Sequence, residues 1–320
     1  MLGNTPSFES KTTKSAVSPC HVSACGKAIL VGEHAVVYGS HAVALPLRDM
    51  RLDLSVSPSN EMQLPPRVSM KANDLQMTQR VADVFVEAAE LLGAKEVPSE
   101  VVGQSRLPIG AGVGSSAALC VSALRGVAGI MGMTLKKSQL ASLANTLEKR
   151  FHGQPSGLDT AVVAHESCLL FKRQATMRVL DTPHPQYWNF VLLDSGVRAS
   201  TMSMIRLASP YFRGVDGDRR IVCFDELAMA TAEALKAGDV VLMSELISEC
   251  DRLLSELGIV THDLSSMISE LKRLGCLAAK TTGAGGGGVV LALLDPSNTV
   301  EILARLKESF GSDRVFPVSV

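Results

Sequence analysis

The strongest constraint on the fold is a glycine-rich segment at residues 107–118, which reads LPIGAGVGSSAA. Three glycines stand at every second position, two serines follow, and an apolar run comes next. The pattern predicts a loop that leads into a buried helix over residues 115–131. Glycine lets backbone N–H groups approach an anion closely, and a helix N-terminus adds unpaired donors and partial positive charge. The segment therefore predicts a phosphate-binding loop.

By composition alone, the same segment could be a glycine-rich turn before a buried helix, because short glycine patterns are common. Its spacing differs from the Gly-x-Gly-x-x-Gly dinucleotide motif, and no lysine stands where a Gly-x-x-x-x-Gly-Lys-Ser/Thr loop needs one. If the segment binds phosphate, the accompanying cation must come from another part of the chain.

Length and charge narrow the class of protein. A chain of 320 residues can form one large core or two ordinary domains, and we expect two. The formal net charge is −1, and no dense basic block is interleaved with aromatic residues. This pattern argues against nucleic-acid and membrane partners and favours small polar substrates. No apolar run reaches membrane-spanning length.

Cysteine usage and the N-terminal segment bear on location. The seven cysteines are scattered and form no Cys-x-x-Cys pair, which favours reduced thiols and a cytoplasmic location. Residues 1–20 are predicted to be a disordered leader. A peroxisome-like organelle or a mitochondrion remains an alternative location, although the leader shows no amphipathic arginine pattern.

A second motif, residues 26–39, places three ionisable side chains in an otherwise apolar stretch: Lys27, Glu33 and His34. Burial of such groups is costly unless they are paired or used in function, so the motif indicates a functional site. The alternative is a surface turn with an incidental Lys27–Glu33 ion pair.

Two further carboxylates stand out at residues 148 and 159. Glu148 lies within or beside the apolar stripe of a helix predicted over residues 134–151, and a metal ion would be a suitable partner for an inward-pointing carboxylate. The alternative is a surface salt bridge with Arg150. Asp159 follows a turn-rich loop and begins a short predicted helix, where it could simply be the helix cap.

The later part of the chain is predicted to be a second α+β unit. Helices are expected over residues 225–235, 240–257 and 264–274, with Asp239 and Asp263 as N-caps. A run of four glycines at residues 285–288 precedes an apolar strand at 289–294. Because glycine in a strand entry is costly, we expect a ligand or the facing domain to approach closely there. The alternative is a flexible hinge.

Four ordered motifs, at residues 26–39, 107–118, 152–159 and 282–288, resemble those of the galactokinase, homoserine kinase, mevalonate kinase and phosphomevalonate kinase superfamily. The first and third are most similar to the mevalonate kinase branch. The resemblance implies an α+β fold: an N-terminal α/β domain like domain 2 of ribosomal protein S5, and a C-terminal ferredoxin-like α+β domain. The cleft between them would hold the active site. The corresponding domain ranges are 21–187 and 188–320.

The resemblance also implies a reaction, the transfer of the ATP γ-phosphoryl group to the C5 hydroxyl of (R)-mevalonate, with Mg²⁺ as cofactor. Asp159 and Lys27 are the implied catalytic residues, and Ser116 and Glu148 the implied metal ligands. The implied ATP contacts are Lys27, Ser105, Gly110, Ala111, Gly112, Val113, Gly114, Ser115 and Ser116. The implied substrate contacts are Glu33, His34, Asp159, Thr201, Gly283 and Ala284.

Other functions remain open at this point. The chain could phosphorylate another small alcohol, act as a decarboxylase of the same superfamily, or be a catalytically silent ligand sensor with the same fold. The Glu33–His34 pair and Glu148 argue against the decarboxylase. Retention of Lys27, Glu148 and Asp159 argues against the sensor. The superfamily includes monomers and dimers, so a homodimer is possible by resemblance alone.

Overall fold

The computed structural model describes residues 18–58, 65–71, 75–94, 98–153 and 155–318. Residues 1–17 of the predicted leader lie outside these ranges. The first strand begins at Cys20, one residue before the predicted domain boundary.

Within the described residues, ten strands form two separate sheets. The first has the order β3-β4-β2-β5-β6, with β1 paired to β2, and the second has the order β10-β7-β9-β8. Only the β3–β4 pair is parallel among the pairings of the described strands. The strands are β1 (Cys20–Val31), β2 (His41–Ser57), β3 (Arg67–Met70), β4 (Glu100–Ser105), β5 (Leu169–Lys172), β6 (Arg178–Val179), β7 (Phe190–Asp194), β8 (Cys276–Thr281), β9 (Val289–Leu294) and β10 (Val315–Val318).

Nine α-helices in the described ranges pack on these sheets, which makes the fold α+β as predicted. None of the described helices combines the length and apolar character needed to cross a membrane. The helices are α1 (Leu75–Leu92), α2 (Ser115–Ile130), α3 (Lys137–His152), α4 (Leu158–His165), α5 (Thr201–Ala208), α6 (Gly214–Ala237), α7 (Val240–Glu256), α8 (His262–Arg273) and α9 (Thr299–Phe310).

The long β1–β2 pair brings the first two motifs together. Strand β2 is continuous over seventeen residues, and the β1–β2 register shifts between Cys25 and Gly26. A Cβ at Gly26 would lie 2.5 Å from Leu107 Cδ2 and 2.7 Å from Val113 O. Glycine is therefore required here, because it lets the predicted phosphate-binding loop pack directly on β1.

The second sheet is buried on both faces, which explains the unbroken apolar sequence of β9. Along β9, Val290 and Ala292 pack in a cluster with α8 and α9, while Leu291 and Leu293 join the main core. This alternation follows the two-residue period of a strand.

The predicted helices of this half are present, with two corrections. Helix α6 begins at Gly214, eleven residues before the expected start at residue 225. Asp239 caps α7 as predicted, but the prediction of Asp263 as the cap of α8 is wrong. Thr261 is the N-cap, and its hydroxyl accepts a bond from Leu264 N, while Asp263 lies in the first turn.

The two halves of the chain share a core. The main apolar cluster includes residues of both sheets and of α6 and α7, so the halves pack directly on each other. Asp225 on α6 accepts bonds from the backbone N and from Nδ1 of His41 on β2, at 2.7 and 2.8 Å. Near the predicted boundary between the ranges 21–187 and 188–320, Trp188 is buried and stacks on Phe190. The domain ranges given above stay a prediction.

Candidate active site

A cavity of about 220 Å³ lies where the loops of the two halves meet. Its walls come from the end of β1, the loop before α2, helix α3, the start of α4, the start of α5 and the loop between β8 and β9. The lining residues are Lys27, Ile29, Glu33, His34, Val36, Val37, Gly110, Gly112, Gly114, Ser115, Ser116, Glu148, Pro155, Ser156, Gly157, Asp159, Ala199, Thr201, Ile205, Gly283 and Ala284. Segments far apart in sequence thus converge on one site.

Lys27 joins the two sides of one end of this cavity. Its side chain is only 3% exposed, and Nζ lies 3.0 Å from Gly112 O and 3.1 Å from Asp159 Oδ2. The backbone N of Lys27 also donates to Val113 O at 2.9 Å. The sequence indicated that a cation must come from outside the glycine loop, and Lys27 reaches that loop and the predicted catalytic aspartate at once.

The predicted phosphate-binding loop ends at the N-terminus of α2, where Gly114 is the N-cap with φ +75°. Because glycine has no side chain, the first N–H groups of α2 have no capping oxygen from that residue, a geometry that favours anion binding. A Cβ at Gly114 would lie 2.8 Å from Lys27 Cγ, so the loop conformation and the lysine position depend on each other.

The structure divides the predicted ATP contacts into two groups. Gly110, Gly112, Gly114, Ser115 and Ser116 line the cavity with Lys27. Ala111 and Val113 do not line it and are buried. Ser105 is also absent from the lining, and its hydroxyl instead accepts a bond from Leu107 N at 3.1 Å.

Glu148 points inward from α3 and is 1% exposed. Its Oε1 accepts a bond from the Ser116 hydroxyl at 2.8 Å. Burial, together with the nearby charge of Asp159, raises the pKa of Glu148 to about 8. The surface alternative is wrong, because Arg150 turns away from Glu148 and pairs with Asp83 and Glu87 on α1.

Two oxygen ligands, the Ser116 hydroxyl and the Glu148 carboxylate, therefore stand side by side at the cavity wall. Among the described residues, no group of three or more His, Cys, Asp or Glu side chains could hold a metal ion. Mg²⁺ prefers oxygen ligands and is commonly bound by one or two protein groups, water and substrate phosphates. The donor set fits that ion when phosphate oxygens supply the rest.

Asp159 lies in the first turn of α4, and the prediction that it caps this helix is wrong. Gly157 occupies the N-cap position, with φ +91°. The Asp159 side chain is 29% exposed and faces Lys27 across the cavity. A carboxylate in the first turn is stabilised by the helix dipole.

Glu33 and His34 are both buried and line the part of the cavity called the Glu33 end below. The part lined by Lys27, the loop at 110–116, Glu148 and Asp159 is called the phosphate end, after its predicted ligand. Glu33 pairs with Lys280, so the alternative of a surface Lys27–Glu33 pair is wrong. His34 Nε2 lies 2.9 Å from Ala284 O, and burial lowers the pKa of His34. Because a carbonyl oxygen only accepts, Nε2 is the donor and Nδ1 of the neutral ring is left as an acceptor. His34 has φ +59°, a strained conformation that often marks functional sites.

The second glycine run brings the C-terminal half against the phosphate-binding loop. A Cβ at Gly288 would lie 2.6 Å from Ala111 O, and φ there is +80°. Close approach of the facing half, not a free hinge, thus accounts for this glycine. Three predicted substrate contacts also line the cavity: Gly283, Ala284 and Thr201, the first residue of α5.

Several residues of the site were missed from sequence. Lys280 is 0% exposed and contacts Glu33, and its signal was a lysine inside an otherwise apolar strand. Ser156 lines the cavity, and its hydroxyl accepts a bond from Leu158 N at 3.2 Å. The apolar wall residues carried no signal, because their composition is that of any core; they are Ile29, Val36, Val37 and Ile205.

Comparison with known families agrees with this geometry. The family model "GHMP kinases N terminal domain" matches residues 77–167, and "GHMP kinases C terminal" matches residues 231–312. The chain belongs to the GHMP kinase family. The first match contains the phosphate-binding loop, Glu148 and Asp159, and the second contains Cys250, Lys280 and the second glycine run.

Similar proteins cover nearly all of this GHMP kinase. Mevalonate kinase of Archaeoglobus fulgidus is 30% identical over 85% of this chain and 91% of that protein. Mevalonate kinase of Pyrococcus furiosus is 27% identical over 93% of this chain and 95% of its own. A crystal structure of Methanococcus jannaschii mevalonate kinase has a TM-score of 0.78 at 23% identity, and covers 95% and 98% of the two chains. A crystal structure of L. major mevalonate kinase in complex with R-mevalonate has a TM-score of 0.81 at 20% identity, over 95% and 97%.

Proposed function

We propose that this protein transfers the γ-phosphoryl group of ATP to the C5 hydroxyl of (R)-mevalonate, giving 5-phosphomevalonate for isoprenoid and sterol precursors. The observation that carries the proposal is the contact of Lys27 with both Gly112 and Asp159 inside one cavity. The relatives named mevalonate kinase, matched over most of both chains, support mevalonate as the acceptor.

The phosphate end of the cavity would bind the ATP triphosphate. Backbone N–H groups of the loop at 110–116 and the N-terminus of α2 would hold phosphate oxygens, and Lys27 would add positive charge beside them. Phosphoryl transfer depends mainly on positioning and charge stabilisation, which such groups provide without themselves reacting.

Ser116 and Glu148 would hold Mg²⁺ together with phosphate oxygens and water. The bound ion would neutralise charge that develops on the phosphates. Its positive charge would also favour the ionised form of Glu148, whose pKa burial raises to about 8.

Asp159 would accept the proton of the attacking hydroxyl, or a hydrogen bond from it, while Lys27 holds the carboxylate in place at 3.1 Å. A loose transition state asks little of a base, so positioning of the hydroxyl is a large part of this role. Glu33, His34, Thr201, Gly283 and Ala284 would orient the rest of mevalonate at the other end of the cavity.

An ADP-release assay tests the function directly. We expect (R)-mevalonate with ATP and Mg²⁺ to give turnover, and omission of Mg²⁺ to abolish it. Galactose, homoserine and 5-phosphomevalonate serve as matched alternative acceptors. Turnover with one of these and none with mevalonate would reject the proposed substrate, and ligand binding without any ATP turnover would favour a sensor.

Three further proposals concern the domain boundaries, the cellular compartment and the oligomeric state. The ranges 21–187 and 188–320 would be the two domains on either side of the cleft. The seven cysteines are all free thiols, which supports a reducing, cytoplasm-like compartment. A homodimer is proposed from the resemblance, and light scattering of the purified protein tests it.

A further inference from the structure

Glu33 reaches the cavity from the N-terminal half, but both of its carboxylate oxygens are held by the C-terminal half. Oε1 contacts Nζ of Lys280 on β8. Oε2 accepts a weak bond from the thiol of Cys250 on α7, with the sulfur 3.7 Å away. The position of this predicted substrate contact is therefore set by residues more than two hundred positions later in the chain.

Lys280 itself does not reach the cavity. It is 0% exposed, is absent from the cavity lining, and directs its ammonium group to Glu33 and to Ile29 O at 3.3 Å. Burial of a charged amine is costly without a partner, so the pair with Glu33 is what makes this lysine tolerable in the core. Any effect of Lys280 on substrate must pass through the groups that it touches.

The neighbours of Lys280 hold the same segment by a regular pattern. Thr282 Oγ1 donates to Ile29 O at 3.0 Å and accepts from Ile29 N at 2.9 Å. Ala284 O accepts from His34 Nε2 at 2.9 Å. Lys280, Thr282 and Ala284 thus each bond to a different group within residues 29–34. Within this set, Lys280 is the member that fixes the Glu33 carboxylate.

We propose that Lys280 is a positioning residue for mevalonate: it holds the Glu33 carboxylate in its substrate-binding orientation, with Cys250 as a weaker second donor. The proposal rests on the proposed function, because it assigns Glu33 to mevalonate. Without the ammonium group, a buried carboxylate would be left uncompensated and would turn away from its position. Mevalonate binding would then weaken, while the residues at the phosphate end of the cavity would keep their contacts.

Lys280→Met is tested against Ser244→Ala as the control variant. Both remove a polar contact of β8, but only the first contact reaches Glu33, because the Ser244 hydroxyl on α7 donates to Leu277 O at 3.1 Å. We expect Lys280→Met to raise the KM for mevalonate at least tenfold and to leave the KM for ATP within about twofold. Ser244→Ala should leave both KM values within about twofold. Lys280→Arg should restore most of the mevalonate affinity.

A double-mutant cycle covers the case in which Lys280→Met does not fold. Glu33→Gln with Lys280→Met removes both charges and leaves no buried carboxylate uncompensated. If Lys280 acts through Glu33, Glu33→Gln and the double variant will have the same KM for mevalonate within about twofold. A further large increase in the double variant would show that Lys280 acts by another route and would overturn the inference.

Cys250→Ala provides a graded check on the second donor. Because the thiol is a weak donor, we expect the KM for mevalonate to rise by only about two- to threefold.

The outcomes of these experiments also distinguish failure of the inference about Lys280 from failure of the proposed function. An inactive wild-type protein contradicts the proposed function. An active wild type, in which Lys280→Met and Ser244→Ala have equal mevalonate KM values, contradicts only the role of Lys280.

Discussion

The two ends of the cavity each contain a buried glutamate, and they balance its charge in different ways. At the Glu33 end the chain supplies its own counter-charge, Lys280, and its histidine has a lowered pKa. At the phosphate end Glu148 bonds to the neutral hydroxyl of Ser116, and burial with the Asp159 charge raises its pKa to about 8. At the Glu33 end the protein alone supplies the counter-charge of the glutamate, whereas we expect a bound cation to favour the ionised form of Glu148 at the phosphate end.

The two ends therefore suit the two tasks of a small-molecule kinase, which are to exchange a metal–nucleotide complex and to orient the acceptor alcohol. A site that must receive and release a metal–nucleotide complex benefits from charges that the ligand balances. A site that must orient a small alcohol benefits from fixed groups, because preorganisation lowers the entropy lost on binding. The following predictions challenge or refine this contrast, starting with the largest expected effect.

Asp159→Ala should lower kcat by about a hundredfold or more, the usual scale for a residue that handles the substrate proton. The Kd of an ATP analogue should stay within about twofold, because the loop at 110–116 is intact. Steady-state kinetics and an analogue titration measure the two quantities. Asp216→Ala, in an exposed ion pair on α6, is the control and should leave kcat unchanged. Near wild-type turnover in Asp159→Ala would contradict the assignment.

Glu148→Gln should raise the Mg²⁺ concentration for half-maximal activity at least about tenfold, since it removes a charged ligand. In the wild type this requirement should fall as pH rises toward 8, because deprotonation of Glu148 creates the metal ligand. The variant should lose that pH dependence. Glu33→Gln should change the other quantity: it should raise the KM for mevalonate and leave the Mg²⁺ requirement unchanged. A shared response of both variants would break the contrast between the two ends.

The pH dependence of the free energy of unfolding should also show the effect of the raised pKa of Glu148. Between the ordinary value of 4.5 and about 8, the folded protein holds a proton on Glu148 that the unfolded chain has released. Rising pH through this window therefore lowers the free energy of unfolding, and the effect levels off above about 8. Urea unfolding without Mg²⁺ or nucleotide, at several pH values, measures it. The difference between wild type and Glu148→Gln should shrink or reverse with rising pH, and a constant difference would contradict the shift.

Arg150→Met should have the smallest effect, about 1 kcal/mol or less of unfolding free energy, because its ion pairs with Asp83 and Glu87 are solvent-exposed. The Mg²⁺ requirement should not change, since Arg150 lies on the face of α3 away from Glu148. A change in Mg²⁺ requirement equal to that of Glu148→Gln would show that the two faces of α3 are coupled. Urea unfolding and Mg²⁺ titration measure the two quantities.

Much of the local structure could be predicted from the amino-acid sequence. Strand β9 has the predicted bounds, and the helix after the glycine loop begins at Ser115 as expected. Periodicity and helix-capping chemistry act over a few residues, so a local pattern carries them. The charged residues of the cavity stood out for a similar reason, because ionisable groups in apolar stretches need a partner or a function.

What the sequence alone determined, then, was the presence of helices, strands, two glycine-rich loops and a small set of charged residues that had to be used. Which of these residues meet was decided by tertiary structure. Lys27 pairs with Asp159 instead of Glu33, and Glu33 pairs with Lys280, 247 positions away. Such pairs depend on the packing of two sheets around a shared core, and no pattern within a short window records which distant strand will supply the partner.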